Sequence, residues 1–313
     1  ARTHIGNWGV TIGKQALNWG THSRFAGLSL SDNGPSHTYV KLGLLEPAPI
    51  EKGFFRFLGE VDFQVFWSPL EKNRDKYYES WKHRHNSLFE TDSCEMIGVR
   101  LDITPTDTFT FGFERVTMLS EFNDKYFNPS GSNVGDLHIN DQAGFDWRWK
   151  FPGMQFYGSF YGEYFHGGTL RDIGHHYGIY FPQLVKDGSW DLRVEYKNTN
   201  DAWYTHSGLA NGWSYHGDIV GDPLGNKGTS LNAEINNYWK NGDVLTFRYM
   251  DMSQEKTLPQ NRKIKEYQVA YTHKLKKNLL LDVAIGLADI KNADHNGKSE
   301  KAKYLAAGLK WNF

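Results

Sequence analysis

The chain has one cysteine, no long apolar run and almost no net charge, and each shortage excludes a class of protein. Cys94 alone cannot form an internal disulfide framework or a zinc site built on cysteines. No window holds the roughly 18 apolar residues that a membrane-spanning helix needs. Lysine and arginine number 35 against 36 acidic residues, so there is no basic field for nucleic acid. A helical membrane protein and a nucleic-acid-binding protein are therefore excluded.

Aromatic residues and glycine are abundant, and apolar residues alternate with polar ones. Aromatic residues make up 15% of the chain and glycines number 32, yet only 39% of the residues are hydrophobic. The stretch 57–67 has apolar, aromatic or glycine residues at every odd position and Glu60, Asp62 and Gln64 between them; 97–103, 145–151 and 190–196 repeat the pattern. A period of two puts apolar side chains on one face of a strand and charges on the other.

The pattern predicts fourteen strands, and the lengths of their connections predict how they are arranged. The strands are centred on 8–14, 37–45, 55–67, 94–104, 108–116, 143–151, 154–165, 176–185, 189–198, 230–239, 243–250, 264–274, 279–288 and 302–313. Tight turns such as 105–107 and 152–153 alternate with longer connections such as 15–36, 68–93, 117–142, 166–175 and 199–229. Short periplasmic turns and longer outer loops are typical of an up-and-down barrel in an outer membrane.

Strand length and charge agree with this interpretation. Eleven residues from 57 to 67, at about 3.3 Å each and a tilt near 45°, rise about 25 Å, the height of the apolar band. The charged face then lines a wet interior, because charge facing lipid is costly. We therefore predict an all-β fold, an antiparallel up-and-down transmembrane β-barrel forming one domain over 1–313, in the outer membrane of a Gram-negative bacterium. We expect the apolar outer face of the barrel to contact outer-membrane lipid.

The last ten residues resemble the C-terminal signal of Gram-negative barrels. Residues 304–313 alternate up to a terminal aromatic, with Leu305, Ala307, Leu309, Trp311 and Phe313 on one face. This resemblance implies the barrel assembly machinery as a partner, through Phe313.

A second resemblance narrows the family. Gly13-Lys14-Gln15, Asn18-Trp19-Gly20 and the run from Leu28 to Asn33 resemble a strand and loop of Wzi-type capsule assembly proteins, and 145–150 is similar to another stretch of that family. The resemblance implies a non-enzymatic outer-membrane lectin that binds capsular polysaccharide and assists capsule attachment. It also implies about eighteen strands, so we expect an N-terminal helical part and about four strands to precede Ala1. The alternative is a complete barrel of fourteen strands.

Two long loops carry the candidate sugar-binding residues. Sugars stack their C–H faces on aromatic rings and pair their hydroxyls with Asp, Asn and His. The candidates in the loops 199–229 and 68–93 are Trp203, Tyr204, His206, Trp213, Tyr215, Asp218, Trp81 and Tyr78. The alternative is that these aromatic residues form loop cores and the interfacial girdle.

A further set of residues is predicted to line or plug the interior. The segment 15–36 mixes donors, acceptors and an aromatic, and we expect it to fold back into the barrel; the alternative is one more outer loop. The lumen and plug candidates are Trp19, Arg24, Asp32, Asn33, Arg100, Arg148, Glu163 and Arg193.

Other chemistries are weakly supported by the sequence. His83 with His85, and the pair at 175–176, lack the further ligands of a metal site. Glu60 and Asp62 could act on a glycosidic bond, but a wet interior needs polar groups anyway. We expect a monomer without metal or cofactor. The alternative function is a porin-like channel for sugars or other small solutes, and a third option is a barrel enzyme acting on lipid or glycan.

Overall fold

The protein is built almost entirely of β-strands. The computed structural model describes residues 1–20, 23–72, 94–119, 139–166, 169–205, 212–255, 261–293 and 297–311. The strands, β1 to β18 in chain order, are Arg2–Ile5, Trp8–Gln15, His37–Leu44, Ala48–Pro49, Glu60–Pro69, Glu95–Thr106, Phe109–Leu119, Ile139–Phe151, Met154–His166, Thr169–Phe181, Trp190–Asn198, Ser214–Tyr215, Asp218–Ile219, Thr229–Tyr238, Val244–Gln254, Arg262–Lys276, Leu279–Lys291 and Ser299–Trp311. A 3-10 helix spans Phe54–Leu58. Within the described ranges, no helix is long and apolar enough to cross a membrane.

Sixteen of the strands form one sheet in which neighbours in sequence are neighbours in space. Its order is β1-β2-β3-β5-β6-β7-β8-β9-β10-β11-β14-β15-β16-β17-β18, and the short β4 pairs with β5. The registered pairs, from β1 with β2 to β17 with β18, are antiparallel. The strands β12 and β13 form a separate hairpin inside the connection that follows β11. The up-and-down order predicted from the connection lengths is confirmed.

All fourteen predicted strands are present, and the two largest corrections to their bounds concern the starts of the eighth and the third. The prediction began the eighth strand, 176–185, too late: β10 starts at Thr169, so the predicted loop 166–175 shrinks to 167–168 between strand ends. Residues 55–58 belong to the 3-10 helix rather than to a strand. This helix lies between Gly53 and Gly59, whose φ angles of 85° and 68° are left-handed and interrupt the extended backbone.

The chain divides into two compact units. Unit 1 comprises Ala1–Trp149, Tyr157–His175 and Thr199–Asn226, and unit 2 comprises Lys150–Phe156, His176–Asn198 and Lys227–Phe313. The single domain over 1–313 stays a prediction.

In unit 1 the strand register separates a polar face from an apolar face. Arg100 lies opposite Glu114, and Gly112 opposite Asp146, so these charged residues share one face. They are buried, whereas the large apolar side chains of the other face, such as Phe113 and Trp149, are exposed. This is the arrangement predicted for strands with lipid on one side and the barrel interior on the other.

Unit 2 keeps the same two faces and links its polar side chains to each other. Asp191 accepts hydrogen bonds from the hydroxyls of Tyr180 (3.0 Å) and Tyr238 (2.7 Å) and from Nδ2 of Asn236 (2.8 Å). The guanidinium of Arg193 lies 4.2 Å from the ring centre of Tyr180. These contacts join β10, β11 and β14 across their polar face.

Candidate functional site

The segment that follows β2 packs onto the polar face of unit 1. Trp19 meets Phe66 of β5 edge to face, with ring centroids 5.0 Å apart. A Cβ on Gly98 would lie 2.7 Å from the Trp19 ring, so this strand position needs glycine to admit the tryptophan. Leu28 and Leu30 join the same buried cluster as Met96 and Met118. The apolar part of segment 15–36 therefore covers strand residues that share a face with Arg100.

Residues from 199–205 and 212–226 complete this buried cluster. Trp203 and Trp213 are 0% exposed and Tyr204 is 1% exposed. The Tyr204 hydroxyl donates to the Leu28 carbonyl and accepts from the backbone N–H of Asp222 at 2.7 Å. Burial, together with Asp222, raises the pKa of the Tyr204 phenol well above its usual range, so the hydroxyl remains a donor. We call the assembly of Trp19, Leu28, Leu30, Trp203, Tyr204 and Trp213 the loop core.

Hydrogen bonds between distant parts of the chain hold the loop core together. Trp213 Nε1 donates to the Ser29 carbonyl at 3.0 Å, and the Ser31 hydroxyl donates to the Gly221 carbonyl at 2.6 Å. The backbone N–H of Ser31 donates to the Val220 carbonyl at 2.9 Å. Because these groups are buried, each bond satisfies a polar atom that would otherwise be costly to hide.

Polar residues are exposed where the loop core reaches the surface. Asn33 Nδ2 donates to the Ile219 carbonyl at 2.9 Å, which sets Asp32 and Asn33 beside the β12–β13 hairpin. In that hairpin Asp218 is exposed and His216 is half-buried, with a left-handed φ of 52°. The backbone N–H of His216 donates to Oε1 of Glu71 at 3.1 Å. We call Asp32, Asn33, His216 and Asp218 the polar rim; it offers hydrogen-bonding groups on a fixed backbone.

A charged network lies on the polar face, on the same strands as the loop core. Arg100 Nη1 donates to Glu114 at 2.8 Å and to Asp146 at 2.7 Å, and its Nε donates to Asp102 at 2.9 Å. The Tyr161 hydroxyl adds a bond to Asp146 at 2.8 Å. One buried guanidinium thus links three carboxylates on β6, β7 and β8, which braces these strands.

A glycine makes room for this network. A Cβ on Gly112 would come within 2.5 Å of Arg100 Nη2 and 2.7 Å of Asp102 Oδ1. Gly112 and four of the interacting residues, Asp102, Glu114, Asp146 and Tyr161, were not among the predicted site residues. The register of opposite charges, Arg100 against Glu114 one hairpin apart, was the signal that could have found Glu114.

Glu163 connects strand β9 to the loop core. It is fully buried and accepts a hydrogen bond from Nε2 of Gln142 at 2.9 Å. The backbone of Tyr204 also lies within its hydrogen-bonding reach. Glu163 on the polar face of the sheet is therefore in contact with both β8 and the loop core.

The predicted site residues divide into four groups. Trp203, Tyr204, Trp213 and Trp19 are core residues, and Tyr215 is 8% exposed. Asp218, Asp32, Asn33 and Arg24 are exposed. Arg100 and Glu163 are buried on the polar face of unit 1, Arg148 is half-buried on it, and half-buried Arg193 lies in unit 2. His206, Trp81, Tyr78 and Phe313 lie outside the described residues.

Solved structures that resemble this chain are barrels of Gram-negative bacteria. One is Wzi of Escherichia coli, described as an outer membrane protein involved in group 1 capsule assembly and a carbohydrate-binding β-barrel. It has a TM-score of 0.78 and 17% identity, over 100% of this chain and 69% of that one. Another is OccK5 (OpdH) of Pseudomonas aeruginosa, with a TM-score of 0.54 and 10% identity, over 100% of this chain and 80% of that one. These likenesses confirm the β-barrel fold.

Sequence comparison identifies the family. A search of curated protein sequences gives no match. The family model described as capsule assembly protein Wzi matches residues 1–304, which is nearly the whole chain, and this protein therefore belongs to the Wzi capsule assembly family.

Proposed function

We propose that the protein binds capsular polysaccharide at the cell surface and thereby assists attachment and assembly of the capsule. It does so as an outer-membrane β-barrel whose long loops face outward. The observation that carries the proposal is the polar rim: four hydrogen-bonding residues from two distant segments, held by a buried loop core at the long-loop end of the strands. Membership of the Wzi family supports the same conclusion.

The chemistry of the polar rim suits sugars. Asp32 and Asp218 accept hydrogen bonds from sugar hydroxyls, and the amide of Asn33 both donates and accepts. The rim is ordered before ligand arrives, because Asn33 is bound to the Ile219 carbonyl and His216 to Glu71. Preorganisation reduces the entropy lost on binding. Trp203, Tyr204 and Trp213 support these residues from the buried side, and Tyr215, which is 8% exposed, pairs with Asp218 in the β12–β13 hairpin.

The porin-like alternative is less well supported. The loop core packs over the polar face of unit 1, which is the face that would line an open channel. The likeness to OccK5 concerns the fold alone, at 10% identity. We therefore propose no transport function for this barrel.

The proposal includes no enzymatic step. In the described part of the chain, no group of three or more His, Cys, Asp or Glu residues is placed to hold a metal ion. We propose a binding protein that works as a monomer without a cofactor, is surrounded by outer-membrane lipid, and is assembled through its C-terminal signal ending at Phe313.

The test is retention of the purified protein on immobilised capsular polysaccharide. Asp32→Ala combined with Asp218→Ala should reduce retention at least tenfold, since each lost charged hydrogen bond costs about 1.5–3 kcal/mol. The matched control is Asp107→Ala, an exposed aspartate in the short turn after β6. Equal retention of both variants would remove the polar rim from the proposal. Conductance in planar bilayers without retention would establish the channel instead.

A further inference from the structure

The apolar face of unit 2 becomes charged at the long-loop end of β15–β18. Arg248 Nη1 donates to Gln268 Oε1 at 2.9 Å on the polar face, so the alternate residues Tyr249 and Tyr267 lie on the opposite face, with rings 5.2 Å apart. In a barrel this opposite face meets lipid. We call it the lipid face.

Strand register arranges the lipid face in rows, each about 7 Å further along the strands than the one before. The first row is apolar, the second contains two tyrosines, a leucine and a lysine, and the third and fourth rows are charged or polar. In order they are Phe247, Val269, Ile285 and Leu305; Tyr249, Tyr267, Leu287 and Lys303; Asp251, Lys265, Asp289 and Lys301; and Ser253, Lys263, Lys291 and Ser299.

Apolar residues occupy much of the polar face at this end of the sheet. The polar-face row between the last two rows consists of Met252, Ile264, Ile290 and Glu300, and Met252 and Ile264 are 7% and 8% exposed. Lys263 and Lys265, on either side of Ile264, are exposed on the lipid face. At this end of the sheet, therefore, most of the charged residues lie on the lipid face, whereas in unit 1 the charged network lies on the polar face.

The lysines outnumber the acids that could neutralise them. The rows contain five lysines and two aspartates, a net charge of +3. Lys265 pairs with Asp251 at 3.3 Å, with both side chains well exposed. Lys263 lies directly opposite Lys291. Like charges at directly opposite positions destabilise a sheet unless something of opposite charge lies between them. The patch therefore favours an anionic ligand.

The depth at which these lysines lie in the membrane indicates which anionic ligand they meet. Tyrosines mark the boundary between hydrocarbon and headgroups, and Tyr249 and Tyr267 form the second row. Lys263, Lys265, Lys291 and Lys301 lie beyond this boundary on the side of the long loops, which faces outward, and Lys303 lies level with the tyrosines. The lipid headgroups of the outer leaflet of a Gram-negative outer membrane carry phosphate on sugar, and clustered lysines bind phosphate as point charges.

We propose that Lys263, Lys265, Lys291, Lys301 and Lys303 form a docking site for the phosphorylated headgroup of an outer-leaflet glycolipid. The site lies on the outside of the barrel in unit 2 and is separate in sequence from the polar rim. It rests on the outer-membrane location and is independent of capsule binding. It fixes this side of the barrel to the outer leaflet.

The experiment is a titration of detergent-solubilised full-length protein with purified lipopolysaccharide lacking its O-chain, followed by native mass spectrometry. The variant combines Lys263→Gln, Lys291→Gln and Lys301→Gln. At about 1 kcal/mol for each lysine, it should bind about 100-fold more weakly. The matched control combines Lys240→Gln, Lys276→Gln and Lys277→Gln, three lysines at the short-turn end of unit 2, and should bind like the unaltered protein.

An arginine variant and a dephosphorylated lipid serve as further controls. The same three positions changed to arginine should keep binding, which separates loss of charge from loss of folding. Glycolipid stripped of phosphate should bind the unaltered protein as weakly as the glutamine variant binds the intact lipid. Equal binding by the glutamine variant and the unaltered protein would overturn the proposal. So would loss of retention on capsular polysaccharide with glycolipid binding unchanged, which would make the patch a polysaccharide surface.

Discussion

The two units stabilise their polar faces by different means. In unit 1 the face is covered by a hydrophobic cluster that contains the loop core, whereas among the described residues of unit 2 the buried hydrophobic side chains are Met252 and Ile264. Unit 2 relies on networks such as the one centred on Asp191. The difference indicates where binding is built: the polar rim rests on the packed unit, since a fixed recognition surface needs rigid support.

The largest effect should come from removing the aromatic residues of the loop core. Trp203→Ala with Trp213→Ala deletes two fully buried side chains, and each such change costs about 3–5 kcal/mol. We expect the loops to open to protease and polysaccharide retention to be lost, while the barrel still migrates as a folded species on unheated gels. Protease resistance and full retention in this variant would show that the rim does not depend on the loop core.

Arg100→Ala should have the next largest effect. It leaves Glu114 and Asp146 buried without their cation, which costs about 3–5 kcal/mol. In unit 2, Asp191→Ala removes three hydrogen-bond acceptor contacts but leaves no buried charge, so its effect should be smaller, about 1.5–3 kcal/mol. Urea unfolding of both variants in detergent measures the order. A reversed order would contradict the contrast between the units.

A single methyl group tests how tightly the loop core is packed. The Cβ of Gly221→Ala would lie 2.6 Å from the Leu28 carbonyl oxygen and also clash with the Tyr204 hydroxyl, so we expect a loss of about 1–3 kcal/mol. Gly13→Ala is the matched control, because no atom lies within 4 Å of its new Cβ. The thermal unfolding temperature should be lowered only for Gly221→Ala.

The smallest effect concerns a turn of unit 2 and depends on pH. Asp243 precedes β15, and the hydrogen bond from Tyr271, followed by the Lys274 backbone N–H and His273, holds the pKa of its carboxyl below the usual range. A lowered pKa stabilises the fold above the unfolded value, about 3.9, and this contribution is lost as pH falls further. Asp243→Asn should therefore melt lower than the unaltered protein at pH 7, and the difference should be smaller at pH 3. A difference that is unchanged between these pH values would contradict the assignment.

The strands could be predicted from the sequence because apolar and polar residues alternate where one face of a strand meets lipid and the other meets the barrel interior. The loops could not, because the same aromatic residue serves as a core residue or as a ligand platform: Trp213 and Asp218 were predicted as equivalent candidates, yet Trp213 is buried and Asp218 exposed. Only contacts between residues far apart in sequence, such as Trp213 with Ser29, decide between the two roles. Alternation alone also does not show which face of a strand carries the charged residues. Lys263 lies on the lipid face, whereas Arg248 of the neighbouring strand lies on the polar face.

Carboxyl labelling with a carbodiimide and an amine, read by mass spectrometry with and without isolated capsular polysaccharide, tests whether the polysaccharide covers the polar rim. Asp32 and Asp218 are exposed and should be labelled in the free protein. Polysaccharide should protect both of them and leave Asp107, at the short-turn end, labelled as before. Unchanged labelling of Asp32 and Asp218 at saturating polysaccharide would show that the polar rim does not bind it.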